Sequence, residues 1–169
     1  MSRNIKTFFK ICLITAVAGA AFPQSALADD TTPTANQFDF NHVSCRGGPF
    51  EIRVIIKGVR KNEGLMTADL YPNDEERFLK GRGRVKLARY AAKAPATKFC
   101  VKAPGPGFFA LAVYHDRNAN TDFDKTGLGL PAEPWGISNN PRAMFGPPPI
   151  EKALFEVTED GATLAIKLN

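Results

Sequence analysis

The residues of this chain best suited to chemistry lie in one loop. Asp116, Asn118, Asn120, Asp122 and Asp124 place oxygen-bearing side chains at every second position directly after the apolar run Leu111–Tyr114. Alternate oxygens in a tight loop are how proteins surround a hard cation such as calcium, which takes six to eight oxygen ligands. Asp116, Asn118 and Asn120 match the first, third and fifth positions of an EF-hand loop, but Thr121 stands where that loop needs Gly and Gly127 where it needs a bidentate Glu. A true EF-hand is therefore excluded. Glu133, fixed between Pro131 and Pro134, is the candidate for the missing carboxylate. Such a site would be weak, with a dissociation constant of about 10⁻⁴ to 10⁻³ M, as in extracellular modules. The competing reading needs no ion: Asn and Asp side chains bond their own backbone in successive turns. The sequence leaves both open.

Two further residues border the loop. His115 beside Asp116 has the composition of an oriented general base, which would make the carboxylates and His115 a metal-assisted hydrolase. Neighbours on a strand point to opposite faces, however, and this predicts a structural histidine. His42 stands alone near the amino end. Trp135 has the chemistry to stack on a sugar or seat a peptide, or to pack the loop onto the fold, in which case Ser138, Asn139 and Asn140 are turn or capping residues. No Gly-x-Ser-x-Gly, His-Glu-x-x-His or phosphate-loop pattern is present. Lys80, Arg82, Arg84 and Lys86 alternate with Gly81, Gly83 and Val85. In an extended chain they would form a basic stripe, either a solvated edge strand or a binder of the anionic envelope surface.

The elements that must position these residues begin after an export signal. Arg3, Lys6 and Lys10 precede the apolar run Ile11–Phe22, and Ala26-Leu27-Ala28 supplies a cleavage site. At about 12 residues, against the roughly 20 needed to cross a bilayer, the run is too short for a membrane anchor. The mature chain is expected to begin near Asp29, to have no transmembrane segment, and to be periplasmic or secreted. Without the three basic residues of the signal, 19 Lys and Arg face 17 Asp and Glu, a net charge of about +2 that gives no basis for a nucleic-acid partner. Cys12 leaves with the signal, so Cys45 and Cys100 meet in an oxidising compartment and are expected to be bonded rather than buried as free thiols.

Residues 29–37, rich in Thr and Asp, read as a disordered lead-in to one domain over 38–169. Strand patterns follow at Glu51–Lys57, Leu65–Tyr71, Lys98–Lys102 and Phe108–Tyr114, the last apolar on both faces and so central. Leu154–Val157 and Thr163–Leu168 suggest a closing hairpin through Glu159-Asp160-Gly161, and 75–94 suggests an extended segment. Six or seven strands and no amphipathic helix predict an all-β fold, a single β-sandwich. Its one long Asn/Asp/Pro/Gly-rich insertion runs over 116–149, and loops of such length are usually functional or disordered.

Several segments together carry a family signature: Gly105-Pro-Gly-Phe-Phe-Ala-Leu-Ala-Val-Tyr-His-Asp-Arg-Asn-Ala-Asn-Thr-Asp-Phe-Asp124, Gly129-Leu-Pro-Ala-Glu-Pro-Trp-Gly-Ile-Ser-Asn-Asn140, Pro147-Pro148 and Ala153-Leu-Phe155. They resemble the exported bacterial DUF2141 family, whose function is unknown. The resemblance implies a small extracytoplasmic β-sandwich, transthyretin-like or immunoglobulin-like in layout, with a cysteine pair placed like Cys45 and Cys100. It brings no reaction. Thr121 departs from it, since the family loop more often has Gly there. The expectation is an exported non-enzymatic binding or accessory domain with a calcium-ordered loop and a partner in the cell envelope or outside the cell.

Overall fold

β1 (Glu51–Lys57) forms where Ile52, Val54 and Ile56 alternate, and all three side chains are fully buried. The computed structural model describes residues 44–142 and 146–169, all within the unit Thr31–Asn169. The signal and lead-in read from residues 1–37, with Cys12 and His42, lie outside the described residues. Seven further strands follow: β2 (Leu65–Pro72), β3 (Lys86–Ala91), β4 (Ala96–Lys102), β5 (Gly107–Asp116), β6 (Trp135–Ile137), β7 (Phe155–Val157) and β8 (Ala162–Lys167). Among the described residues the only helical element is a 3₁₀ turn at Ile150–Lys152, and no helix is long and apolar enough to cross a membrane.

The strands make two sheets. One has the order β4-β1-β8, antiparallel on one side of β1 and parallel on the other. The second runs β3-β2-β5-β6, with β7 pairing the start of β5 beyond β6. Between them lies the core, where Ile52, Val54 and Ile56 face Met66, Ala68 and Leu70, and Phe99 and Ile166 face Leu111 and Val113. The result is the expected β-sandwich. A second apolar cluster, which includes Tyr71, Phe78, Ala110, Ile137 and Ile150, covers part of the outer face of the larger sheet. Both faces of β5 are thereby covered, which is why its sequence reads as nearly continuous apolar residues.

Cys45 and Cys100 are joined, with their Cα atoms 4.9 Å apart. The bridge ties the segment before β1 to β4, and Ser44 Oγ accepts the Cys100 N–H (2.9 Å). Glu51 holds the same segment from the other end, its carboxylate accepting the N–H groups of Arg46 (2.7 Å) and Gly47 (3.1 Å).

Three expectations are corrected. Leu154–Val157 and Thr163–Leu168 do not form a hairpin. β7 pairs β5 in one sheet and β8 pairs β1 in the other, because the chain crosses the sandwich at Gly161, where an added Cβ would sit 2.0 Å from the Glu51 carbonyl oxygen. Extended structure holds only for 86–91 within 75–94. Upstream, Asp74 Oδ1 accepts the N–H groups of Glu76 and Arg77 and starts a series of turns, which Arg77 Nε closes by donating to the Gly83 carbonyl (3.0 Å). The basic stripe of Lys80, Arg82, Arg84 and Lys86 is consequently not built, since 81–83 is turn and Arg84 pairs inward with Asp69 (3.5 Å). Alternating Gly and charge at 80–84 was turn chemistry. The 116–149 insertion, which carries little strand pattern, supplies the short β6.

Reduction of the bridge, or the double change Cys45→Ser with Cys100→Ser, is expected to lower the unfolding free energy by about 2–4 kcal/mol. Urea denaturation in the presence and absence of reductant measures this; coincident midpoints would contradict it.

Candidate functional site

The loop after β5 is built outward from Asp116. Pairing with Leu65 of β2 places this residue on the outer face of the larger sheet, fully buried. A buried carboxylate needs donors, and the chain turns back to supply them. The N–H of Asn120 donates to Asp116 Oδ1 (3.2 Å) and that of Thr121 to Oδ2 (2.8 Å). Asn118 Oδ1 accepts the Asn120 N–H (3.1 Å), and Asn120 Oδ1 accepts the Asp122 N–H (2.9 Å), two successive Asx turns. The side-chain amides of Asn118 and Asn120 both donate to the Asp124 carboxylate, at 2.8 to 3.2 Å. Glu133 closes the system from the segment just before β6, its two oxygens accepting the N–H groups of Arg117 (3.2 Å) and Asp124 (3.3 Å).

Five of the six predicted residues, Asp116, Asn118, Asn120, Asp124 and Glu133, thus meet in one network. Asp122 gives that network only its N–H and lines a groove on the outer face of the sheet. Burial is the main reason the Glu133 carboxyl is held above its ordinary value, and the charges of Asp116 and Asp124 push the same way, against the backbone donors. Beside Glu133 lies a solvent-open cavity of about 320 Å³, lined also by Glu63, Asn118 and Asp124. Among the described residues no three His, Cys, Asp or Glu side chains are arranged to hold a metal ion.

His115 falls on the other side of β5. It faces the core with Val113, opposite Met66, and is 2% exposed. Its Nε2 lies 2.7 Å from the carbonyl oxygen of Glu63, an atom that only accepts, so Nε2 carries the proton. The general base required by the hydrolase reading is therefore not presented to the loop carboxylates. His115 is a structural residue, as strand alternation predicted.

The groove was not anticipated. Two cross-strand rows on the outer face make its floor: Asp69, Ala112 and Ile137 in one, Tyr114 and Trp135 in the other. One wall is the 79–84 turn, with Leu79 and Arg84; the other is the 121–131 part of the insertion, with Phe123, Lys125 and Leu130. The volume is about 700 Å³, within the range of pockets that hold small molecules. Phe123 is set against Tyr114 with ring centroids 5.1 Å apart, so the Asp116 network also fixes this wall. Asp69 Oδ2 meets Arg84, whereas Oδ1 is buried with no hydrogen-bond partner. Burial raises the Asp69 carboxyl, opposed by the charges of Arg84 and Arg89. It also pushes the Tyr71 phenol up, with Asp69 adding to the effect. Besides Trp135, already singled out for its chemistry, the sequence signal of this site was a charged residue, Asp69, in the middle of the apolar run Leu65–Tyr71.

The model of the family described as "Uncharacterized protein conserved in bacteria (DUF2141)" matches residues 54–165. The chain belongs to the DUF2141 family. No curated protein and no solved structure matches it. The matched span of this DUF2141 chain contains the loop, Glu133 and the groove, together with Cys100 but not Cys45.

The one departure noted in the loop has a structural counterpart. Thr121 sits at φ +71°, the left-handed region that favours glycine, and for a β-branched residue this costs about 1–2 kcal/mol. After the extra unfolded-state entropy of glycine is subtracted, Thr121→Gly is expected to stabilise the domain by about 0.5–1 kcal/mol. Thermal and urea melts read the change, and a destabilised variant would refute the strain.

Proposed function

We propose that this DUF2141 domain is an exported, non-enzymatic binding module whose ligand face is the groove over β2, β5 and β6. The observation that carries the reading is the groove floor, where aromatic rings and the Asp69–Arg84 pair sit together in one concavity. Pockets of that kind, apolar with a few convergent polar groups, are where small ligands bind. Support for export comes from the signal-like residues 1–28, from the bonded Cys45–Cys100 pair, which suits an oxidising compartment, and from membership of a bacterial family. The partner belongs by this reading to the cell envelope or the extracellular medium. The burial of His115 argues against the hydrolase alternative.

Fragment screening by amide chemical-shift perturbation tests the module. Shifts are expected to cluster on Tyr71, Ala112, Tyr114, Trp135 and Ile137. Clustering around His115 and Glu63 instead would favour the enzyme alternative over the groove.

A second reading keeps calcium. Its support is electrostatic: the charges of Asp116 and Asp124 act on Glu133 beside the 320 Å³ cavity, and a cation would offset that repulsion, which adds to the effect of burial on Glu133. In this reading Asp116, Asp124 and Glu133 supply charge while Asn118 and Asn120 turn their amide oxygens to the ion. Titration calorimetry with calcium is expected to give saturable heat at about 10⁻⁴ to 10⁻³ M. At tenfold above the dissociation constant the melt should rise by the equivalent of about 1.4 kcal/mol. Absence of heat together with a melt indifferent to chelator removes the ion.

A further inference from the structure

We propose that the groove over β2, β5 and β6 binds a neutral carbohydrate of one or two rings, with sugar hydroxyls on the Asp69–Arg84 pair and a ring face against Trp135. The proposal rests on the reading of the groove as the ligand face and names the ligand class.

The charges select it. The ionisable acids and bases lining the groove are Asp69 and Asp122 against Arg84 and Lys125, a balance of zero. An anionic ligand drawn to Arg84 and Lys125 would bring its charge to a carboxylate that is already largely desolvated. A cationic ligand drawn to Asp69 would enter the fields of Arg84 and Arg89, both of which act on that carboxyl. A purely apolar ligand would cover the partly exposed Asp69–Arg84 pair without bonding to it, and a polar group buried without a partner costs about 1–3 kcal/mol, more when charged. A hydroxyl group resolves all three conflicts, because it both donates to Asp69 Oδ2 and accepts from the Arg84 guanidinium 3.5 Å away from that oxygen.

The shape narrows the class further. The floor is the face of a sheet, which offers side chains rather than backbone groups for a peptide to pair with, and at β6 the Trp135 carbonyl already accepts the Asn169 N–H (2.9 Å). Rings are supplied instead. Trp135 and Tyr114 are both partly exposed, and Phe123 leans on Tyr114. Aromatic faces beside a few fixed polar groups suit a ligand that is apolar on one face and polar at its rim. A pyranose ring, with C–H groups on its faces and hydroxyls around its edge, has that form.

Trp135 is the sole tryptophan of the chain, so its emission reports the groove alone. The whole domain is titrated with cellobiose, maltose and N,N′-diacetylchitobiose, and in parallel with choline, glucuronate and N-acetyl-tyrosinamide. At least one disaccharide is expected to give a saturable change at millimolar concentration or below. Asp69→Asn, matched in shape, is expected to weaken that binding at least tenfold while its circular dichroism and melt stay close to the parent. Phe123→Ala, in the exposed wall, is expected to weaken it as well and provides a second test should Asp69→Asn misfold. Saturation by choline, glucuronate or the tyrosine amide with silence from all three sugars overturns the carbohydrate and leaves the binding module standing. An affinity for sugar that both variants leave intact overturns the placement. Silence from every probe overturns the carbohydrate and, together with an unresponsive fragment screen, the groove itself.

Discussion

The constraint on which this site depends is a carboxylate that the fold has taken out of water. Asp116 ends β5 on the outer face of the larger sheet and is fully buried. An ionised group in that position needs donors, and none is available from β2, whose own N–H groups are committed to the ladder. The chain answers by turning at Ala119 and Thr121, both at positive φ, so that the N–H groups of Asn120 and Thr121 aim back at the two oxygens. Gly64 makes room on the neighbouring turn, since any Cβ there would lie 2.0 Å from the Asp116 carbonyl oxygen. From that one requirement follow the Asx turns, the position of Phe123 on Tyr114, and hence one wall of the groove.

The other polar residues of the insertion act on the same principle at its far end. Ser138 Oγ accepts the Leu111 N–H (3.0 Å) and donates to the Ala153 carbonyl (2.5 Å), joining β5 to the segment before β7. Asn140 goes further and imitates a strand. Its amide donates to the Ala165 carbonyl (2.9 Å) and accepts the Lys167 N–H (2.7 Å), so one side chain occupies the outer edge of β8. Open strand edges invite pairing with other chains, and a side-chain amide lying along the edge blocks it. Asn140 is accordingly a clasp between the sheets, and its amide and the Ser138 hydroxyl are spent on the fold.

How much of this was legible depended on whether the physics was local. β1 was readable to the residue because Ile52, Val54 and Ile56 repeat with period two. β5 was readable as central because Phe109–Val113 has no polar face to show solvent. The bridge was legible from compartment chemistry alone. The loop network was half legible: the residue types were right, but whether their oxygens would face an ion or their own backbone is a matter of three-dimensional closure. What could not be read was pairing across the sandwich. Nothing local says that β8 joins β1 in parallel rather than β7 in a hairpin, or that Arg77 will reach Gly83 and break a stripe that alternates well enough to pass for a strand. The groove was hidden for the same reason, being assembled from three strands and two loops whose separation in sequence exceeds any motif.

Those two kinds of closure point to different roles for the two polar features of this face. In the loop, the oxygens of Asp116, Asn118, Asn120, Asp124 and Glu133 each accept a hydrogen bond from within the network, so the loop holds its shape with donors it carries itself. Any ion there would act on a structure already satisfied and would add stability more than form. In the groove the reverse holds. Asp69 is desolvated, joined to Arg84 through one oxygen and left without a partner at the other, and Trp135 and Tyr114 remain partly open above it. Polar groups lining a concavity beside open aromatic rings are where an outside hydroxyl gains most on arrival, and the Asp69–Arg84 pair is in that position. The self-sufficient loop is therefore the scaffold, and the groove beside it, with open rings and a charged pair on its floor, is the part of this domain addressed to something else.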